Sequence, residues 1–98
     1  MFVKIIKSYR DIVAICDSNL IGKTFEENEF QLDVKENFFK GEETSEKKLI
    51  EIIEDMSKED AIFNIIGEES INIALKTEII SQEGIKKIKD IPFAMVLS

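Results

Sequence analysis

Residues 57–80 read SKEDAIFNIIGEESINIALKTEII, and the fold turns on how their first half is understood. In one reading Ser57 and Asp60 form a capping pair and a helix runs to Gly67. In the other, AIFNII at residues 61–66 is a short buried strand, and Gly67 turns the chain into a helix starting at Glu68. Hydrophobic periodicity does not separate the two over so short an apolar run, so both stand at this level. In either case GEESINIALKTE is helical. Ile71, Ala74 and Leu75 share its inner side, and Glu68 and Glu69 sit at the positive end of the helix dipole.

The flanks are easier. Upstream, Leu49, Ile52, Ile53 and Met56 recur at helical spacing, with Glu46 in the first turn, which predicts a helix over 45–56. Before it, NFFKGEET reads as a turn around Gly41. EFQLDVK at 29–35 alternates strictly, with Phe30, Leu32 and Val34 on one face, the pattern of a half-buried strand. FVKIIKS and DIVAICD are β-prone runs separated by Tyr9 and Arg10, an N-terminal hairpin. DSNLIGKTFEEN then reads as a connection. Downstream, SQEGIKKIK is a turn or a single helical turn, and Pro92 leads into FAMVL, a strand near 93–97. Hairpin, helices and a late strand make the α+β pattern. The expectation is a small, mainly antiparallel sheet with two or three helices packed on one face.

Ninety-eight residues hold one core, so residues 1–98 are expected to form a single domain. Apolar residues at 44% and charged residues at 34% are a globular composition. The chain has no His, which removes the commonest acid–base group and metal ligand. Cys16 is the sole cysteine, so neither an intrachain disulfide nor a cysteine-based zinc site can form. No apolar run reaches membrane-spanning length, and no signal-peptide stretch opens the chain. A cytoplasmic protein without membrane, metal or cofactor is expected. The net charge of −7 argues against free-standing nucleic-acid binding, since phosphate neutralisation supplies most of that affinity. The charge is unevenly spread: Lys4, Lys7, Arg10 and Lys23 make the first 24 residues mildly basic, and the acids concentrate in 25–62.

Gly22, Lys23 and Thr24 look like the end of a phosphate-binding loop, whose pattern is G-x-x-x-x-G-K-[ST] between a strand and a helix. The first glycine position is Asp17, which would repel phosphate. The chain then continues into an alternating strand, so no helix N-terminus follows to receive an anion. GKT therefore reads as a connection, with Gly22 permitting a backbone angle that other residues resist.

Taken together, CDSNLIGKTF, NFFKG, NIIGEESINIA and IPFA resemble, in order and spacing over nearly the whole chain, a small archaeal family catalogued as domain of unknown function 424. The resemblance implies a compact, stand-alone cytoplasmic archaeal domain and supplies no activity. On its pattern the positions of interest are Asp17, Gly22, Lys23, Asn64, Gly67, Glu68 and Pro92. The chain departs from it at Phe38-Phe39-Lys40-Gly41, where Tyr is frequent, and at Phe93, where His is frequent.

No catalytic set is assignable. If 61–66 is a strand, free amides after Gly67 could hold an anion beside Asn64, with Lys23 converging from the other connection. Against this, Glu68 and Glu69 already satisfy that helix end, and Asn64 and Gly67 have ordinary capping and turn roles. Lys4, Lys7, Tyr9 and Arg10 form a candidate RNA contact, which Lys86, Lys87 and Lys89 would enlarge if the C-terminal segment packs beside the hairpin. The acids Glu42, Glu43, Glu46, Glu51, Glu54 and Asp55 lack calcium-loop spacing and read as a solvated face. The first functional expectation is a non-enzymatic binding or accessory module in archaeal translation or RNA metabolism, with a protein or ribonucleoprotein partner. The second is a small ligand-binding protein or enzyme using Lys23, Asn64 and the Gly67/Glu68 turn. The third is a homo-oligomer with an exposed apolar patch around Phe38 or Phe93. The oligomeric state is open at this level.

Overall fold

A chain in which β-branched residues alternate over short runs builds strands that bury one or both faces. The computed structural model describes residues 1–97 and resolves the ambiguous stretch. Residues 61–66 supply a strand, not a helix. That strand, β6 (Ile62–Ile66), lies inside a six-stranded sheet ordered β5-β1-β2-β6-β8-β7. Its companions are β1 (Phe2–Ile6), β2 (Ile12–Cys16), β5 (Glu42–Glu43), β7 (Lys86–Ile88) and β8 (Ile91–Leu97). β1 and β2 form the expected hairpin, and β8 is the expected C-terminal strand, pairing antiparallel with β6. All pairings are antiparallel except β2 with β6, which run parallel and end together at Cys16 and Ile66.

The parallel pair forces a long crossover, and it carries most of the remaining structure. It begins with a second, two-stranded sheet of β3 (Thr24–Glu27) and β4 (Phe30–Asp33). β3 lies within the stretch expected to be a plain connection. Its sequence TFEE offers a single half-buried apolar residue, Phe25, so no alternation announces it. The hairpin closes through Asn28, in the left-handed region at φ 57°, and Glu29. Leu32 and Val34 are buried as the alternation predicts. Phe30, beside the turn, stays 68% exposed.

A short helix, α1 (Glu36–Phe39), follows where a turn was expected, and then β5 and the long α2 (Glu46–Lys58). Ser45 caps α2, its hydroxyl accepting from the Lys48 amide at 3.2 Å. After β6 comes α3 (Glu68–Lys76). α2 and α3 pack on one face of the sheet, where Leu49, Ile53, Ile71 and Ala74 meet Val13, Ile15, Phe63 and Ile65. The alternate strand residues Ala14, Cys16 and Ile66 point the other way and meet Phe39, Leu32 and Val34 from α1 and the β3–β4 arm. The two long helices thus share a face as expected, and the third helix lies opposite. Among the described residues no helix is long and apolar enough to cross a membrane.

β1, next to the edge strand β5, is approached closely by backbone at one point. A Cβ on Gly41 would lie 2.0 Å from the Val3 carbonyl oxygen, so the segment between α1 and β5 closes on β1 only through glycine. Gly41→Ala is expected to lower the melting temperature by on the order of 10 °C, read by thermal circular dichroism.

Candidate functional site

Two places in the fold bring together side chains from distant parts of the sequence. The first is where the parallel strands end. An α-helix begins with amides that have no intrahelical partner, and the residue capping α3 is Gly67, which has no side chain to offer. Asp17 supplies it instead, from the end of the neighbouring strand. Its Oδ2 accepts from the Glu69 amide at 3.1 Å, and its Oδ1 accepts from the Ser70 amide at 2.8 Å and the Ser70 hydroxyl at 2.7 Å. Asp17 is only 7% exposed and Ser70 fully buried. The backbone closes around them: the Asp17 amide donates to Ile66 O at 3.1 Å, and the Gly67 amide donates to Pro92 O at 2.8 Å. Gly67 has φ 113°, and a Cβ there would lie 2.3 Å from the Asp17 carboxyl carbon, so both backbone angle and space require glycine.

At the Gly67/Glu68 turn, the amides of Glu69 and Ser70 are therefore engaged within the chain. The helix N-terminus does hold an anion, and the anion is the carboxylate of Asp17. Asp17, Gly67 and Pro92 thus form one structural knot, while Glu68 is exposed in the first helical turn.

Gly22 and Lys23 stand apart from it. Gly22 has φ 79°, its amide donates to Val34 O at 2.8 Å, and Val34 N donates to Lys23 O at 2.9 Å. These bonds tie GKT to the end of β4. Thr24 opens a strand, so the backbone is committed to a ladder and not to a phosphate.

The basic residues of the N-terminal hairpin are each engaged within the chain. Lys4 Nζ donates to Asn37 O at 2.6 Å, Lys7 pairs with Asp11 at 3.0 Å, and Arg10 Nε donates to Asp60 O at 2.6 Å. Tyr9 is fully exposed, in a shallow depression shared with Glu59 and Asp60. Lys86 and Lys87 lie on β7, at the opposite edge of the sheet from β1, so the C-terminal segment does not pack beside the hairpin. The antiparallel return of β8 onto β6 carries it away.

The second concentration is a groove of about 760 Å³ on the sheet face opposite α2 and α3. Its apolar walls include Leu32, Phe38, Phe39, Phe93 and Met95. Phe38 and Phe39 meet edge to face, with ring centroids 5.0 Å apart. Phe39 is buried, and Met95 is 70% exposed. Polar groups are few: the Asn64 amide from the central strand, Asn37, and at the rim Asp33, Lys35 and Lys86. Asn64 is the one expected site residue that reaches this groove, and Lys23 does not line it. Phe38 and Phe93, expected as parts of an apolar patch, do line it. Lys86 was expected only as a conditional extension of the basic residues, and Lys35 and Met95 were missed, although the uncharged run FAMVL carried a signal of a surface that needs cover. Among the described residues no group of acids and cysteine is placed to hold a metal ion.

A family model described as "Protein of unknown function (DUF424)" matches residues 6–98. The chain belongs to the DUF424 family. Among solved structures it is similar to the crystal structure of an uncharacterized conserved protein from Methanopyrus kandleri, with a TM-score of 0.84 at 17% identity, covering 98% of this chain and 90% of that one. At that identity the likeness is one of fold. Curated proteins give no match. The resemblance of CDSNLIGKTF and NIIGEESINIA to the DUF424 pattern acquires a physical basis here, since these two segments hold Asp17 and the α3 N-terminus that it caps.

Replacing Asp17 by Ala is expected to cost roughly 2–4 kcal/mol of unfolding free energy, and Asp17→Asn about half of that, by denaturant titration. Cys16, fully buried beside Asp17, gives a pH signature. Burial first, and the Asp17 charge second, push its thiol up from 9.0 to about 11. Between those values the unfolded chain has released the proton and the folded chain has kept it, so stability falls as pH rises. Cys16→Ala should therefore lose less stability than the parent between pH 9 and 11, by about 2–3 kcal/mol.

Proposed function

We propose that this protein is a non-enzymatic binding module that docks a protein partner in the groove opposite α2 and α3. The observation that carries the reading is the groove itself. Its volume of about 760 Å³ lies within the range of true binding clefts, its walls are apolar, and a few polar groups converge on it. Asn64 is the most central of them, a half-buried amide on β6 that lines the groove. No hydrogen bond to its side chain is found among the described residues.

The competing reading, an enzyme or ligand site built from Lys23, Asn64 and the Gly67/Glu68 turn, needs those groups to converge. Asn64 faces the groove, the Gly67 helix end is filled by Asp17, and Lys23 lies outside the groove lining. A place in archaeal translation or RNA metabolism enters the proposal as a contact to protein, since Lys7 and Arg10 are already engaged with acidic or carbonyl oxygens. A homo-oligomer would use the same surface, through Phe38 and Phe93.

The test is purification of the tagged chain from its own host, with and without nuclease, beside the Met95→Glu variant. A protein companion that survives nuclease and disappears with Met95→Glu is expected. Companions retained by Met95→Glu, or lost on nuclease treatment and on replacing Lys4, Lys7 and Arg10, overturn the reading.

A further inference from the structure

The strand pairings place the second sheet face in three cross-strand rows. Phe2, Cys16, Ile66 and Phe93 form the row under α1 and the β3–β4 arm. Lys4, Ala14, Asn64 and Met95 form the next, along which the groove opens. Ile6, Ile12, Ile62 and Leu97 form the last. An antiparallel sheet that faces water ordinarily turns polar side chains outward. Here the outermost row is wholly aliphatic, half-buried at three positions and 64% exposed at Leu97. The groove therefore continues onto an apolar shelf, the kind of surface that marks a protein contact.

Charge chooses among the occupants. Lys35 and Lys86 stand exposed at the groove rim, and neither ammonium lies within ion-pair distance of an acid among the described residues. The single acid of the lining, Asp33, accepts from the Thr24 hydroxyl at 3.3 Å. A chain of net charge −7 thus keeps a locally cationic rim around its most apolar groove. A second copy presenting the same face would bring two cationic rims onto one interface. RNA would satisfy the lysines, but base recognition stacks on aromatic rings, and the most exposed apolar side chains on this face are the aliphatic Met95 and Leu97.

Resting on the groove being the working surface, we propose that its occupant is an acidic amphipathic segment of another protein. Its apolar side chains fill the space between Phe38, Phe93 and Met95 and extend over Leu97, and its carboxylates meet Lys35 and Lys86. The flexible thioether of Met95 suits a surface that moulds itself to such side chains, and the Asn64 amide is free to bond the segment's backbone.

Three fluorescein-labelled probes test this by anisotropy: a short peptide with Leu at helical spacing and Glu elsewhere, its counterpart with Lys for Glu, and an oligouridylate of similar length. The Glu peptide is expected to bind about tenfold or more tighter than the Lys peptide. The Lys35→Glu/Lys86→Glu double variant should reverse that preference, and Met95→Glu should weaken both peptides. Circular dichroism confirms that the variants fold. Equal binding of the two peptides, both weakened by Met95→Glu, overturns the acidic partner and leaves the groove standing. Peptide binding unaffected by Met95→Glu, or no peptide binding, removes the groove reading as well. Tighter binding of the oligouridylate, or a dimer in ultracentrifugation that Met95→Glu dissociates, replaces the proposal with RNA or with a second copy.

Discussion

The carboxylate of Asp17 at the N-terminus of α3 is the interaction on which the arrangement depends. It joins the end of β2 to the start of a helix that follows β6, more than fifty residues later, through two amide hydrogen bonds and one hydroxyl. Each is charge-assisted, and the two from Ser70 are buried, where such bonds are stronger than neutral, exposed ones. The contact is also exclusive. With Gly67 as cap residue there is no local side chain to replace it, and any side chain at position 67 would occupy the space the carboxylate fills. Helix, parallel strand pair and the Pro92 end of β8 are locked together at one place.

That lock has a consequence for function. A helix N-terminus after a strand is where anionic ligands are commonly bound, and in this fold the position is taken internally. At this sheet end the amides of Glu69 and Ser70 already carry a carboxylate, and the proposed docking surface lies instead on the face that α2 and α3 leave free. There α1 and the β3–β4 arm cover the row of Phe2, Cys16, Ile66 and Phe93 and the neighbouring Ala14. The groove is the boundary between covered and uncovered sheet, and its shape follows from α1 being a single short helix.

Legibility in the sequence followed the range of the interaction. The hairpin of β1 and β2, the capped helix α2 and the final strand β8 rest on local periodicity and local caps, and they appear where residue spacing puts them. β3 was not legible, because TFEE is held by pairing with β4 and carries almost no apolar signal of its own. Phe30 fits the alternation of its strand and is nonetheless exposed, because alternation gives the face of a residue and not what lies over that face. Lys86 and Lys87 were placed conditionally beside the hairpin. The strand order set them at the far edge, where Lys86 borders the groove. Of the groove, Asn64, Phe38 and Phe93 were candidates from sequence, and Lys35 was not.

The sequence by itself determined the α+β class, the content of most elements, the glycine start of α3 and the absence of histidine chemistry. These depend on side-chain type and on neighbours a few residues away. Tertiary structure alone decided that 61–66 is a strand, since AIFNII satisfies either period and becomes β6 by pairing with β2 on one side and β8 on the other. It alone decided that Asp17 caps α3, because capping at that distance requires the parallel register of Cys16 with Ile66. It decided as well that Lys35, Asn64, Lys86 and Met95 border one groove. Their nearness is a product of strand order, and strand order is fixed by burying two apolar faces at once, a condition on the whole chain that no local stretch contains.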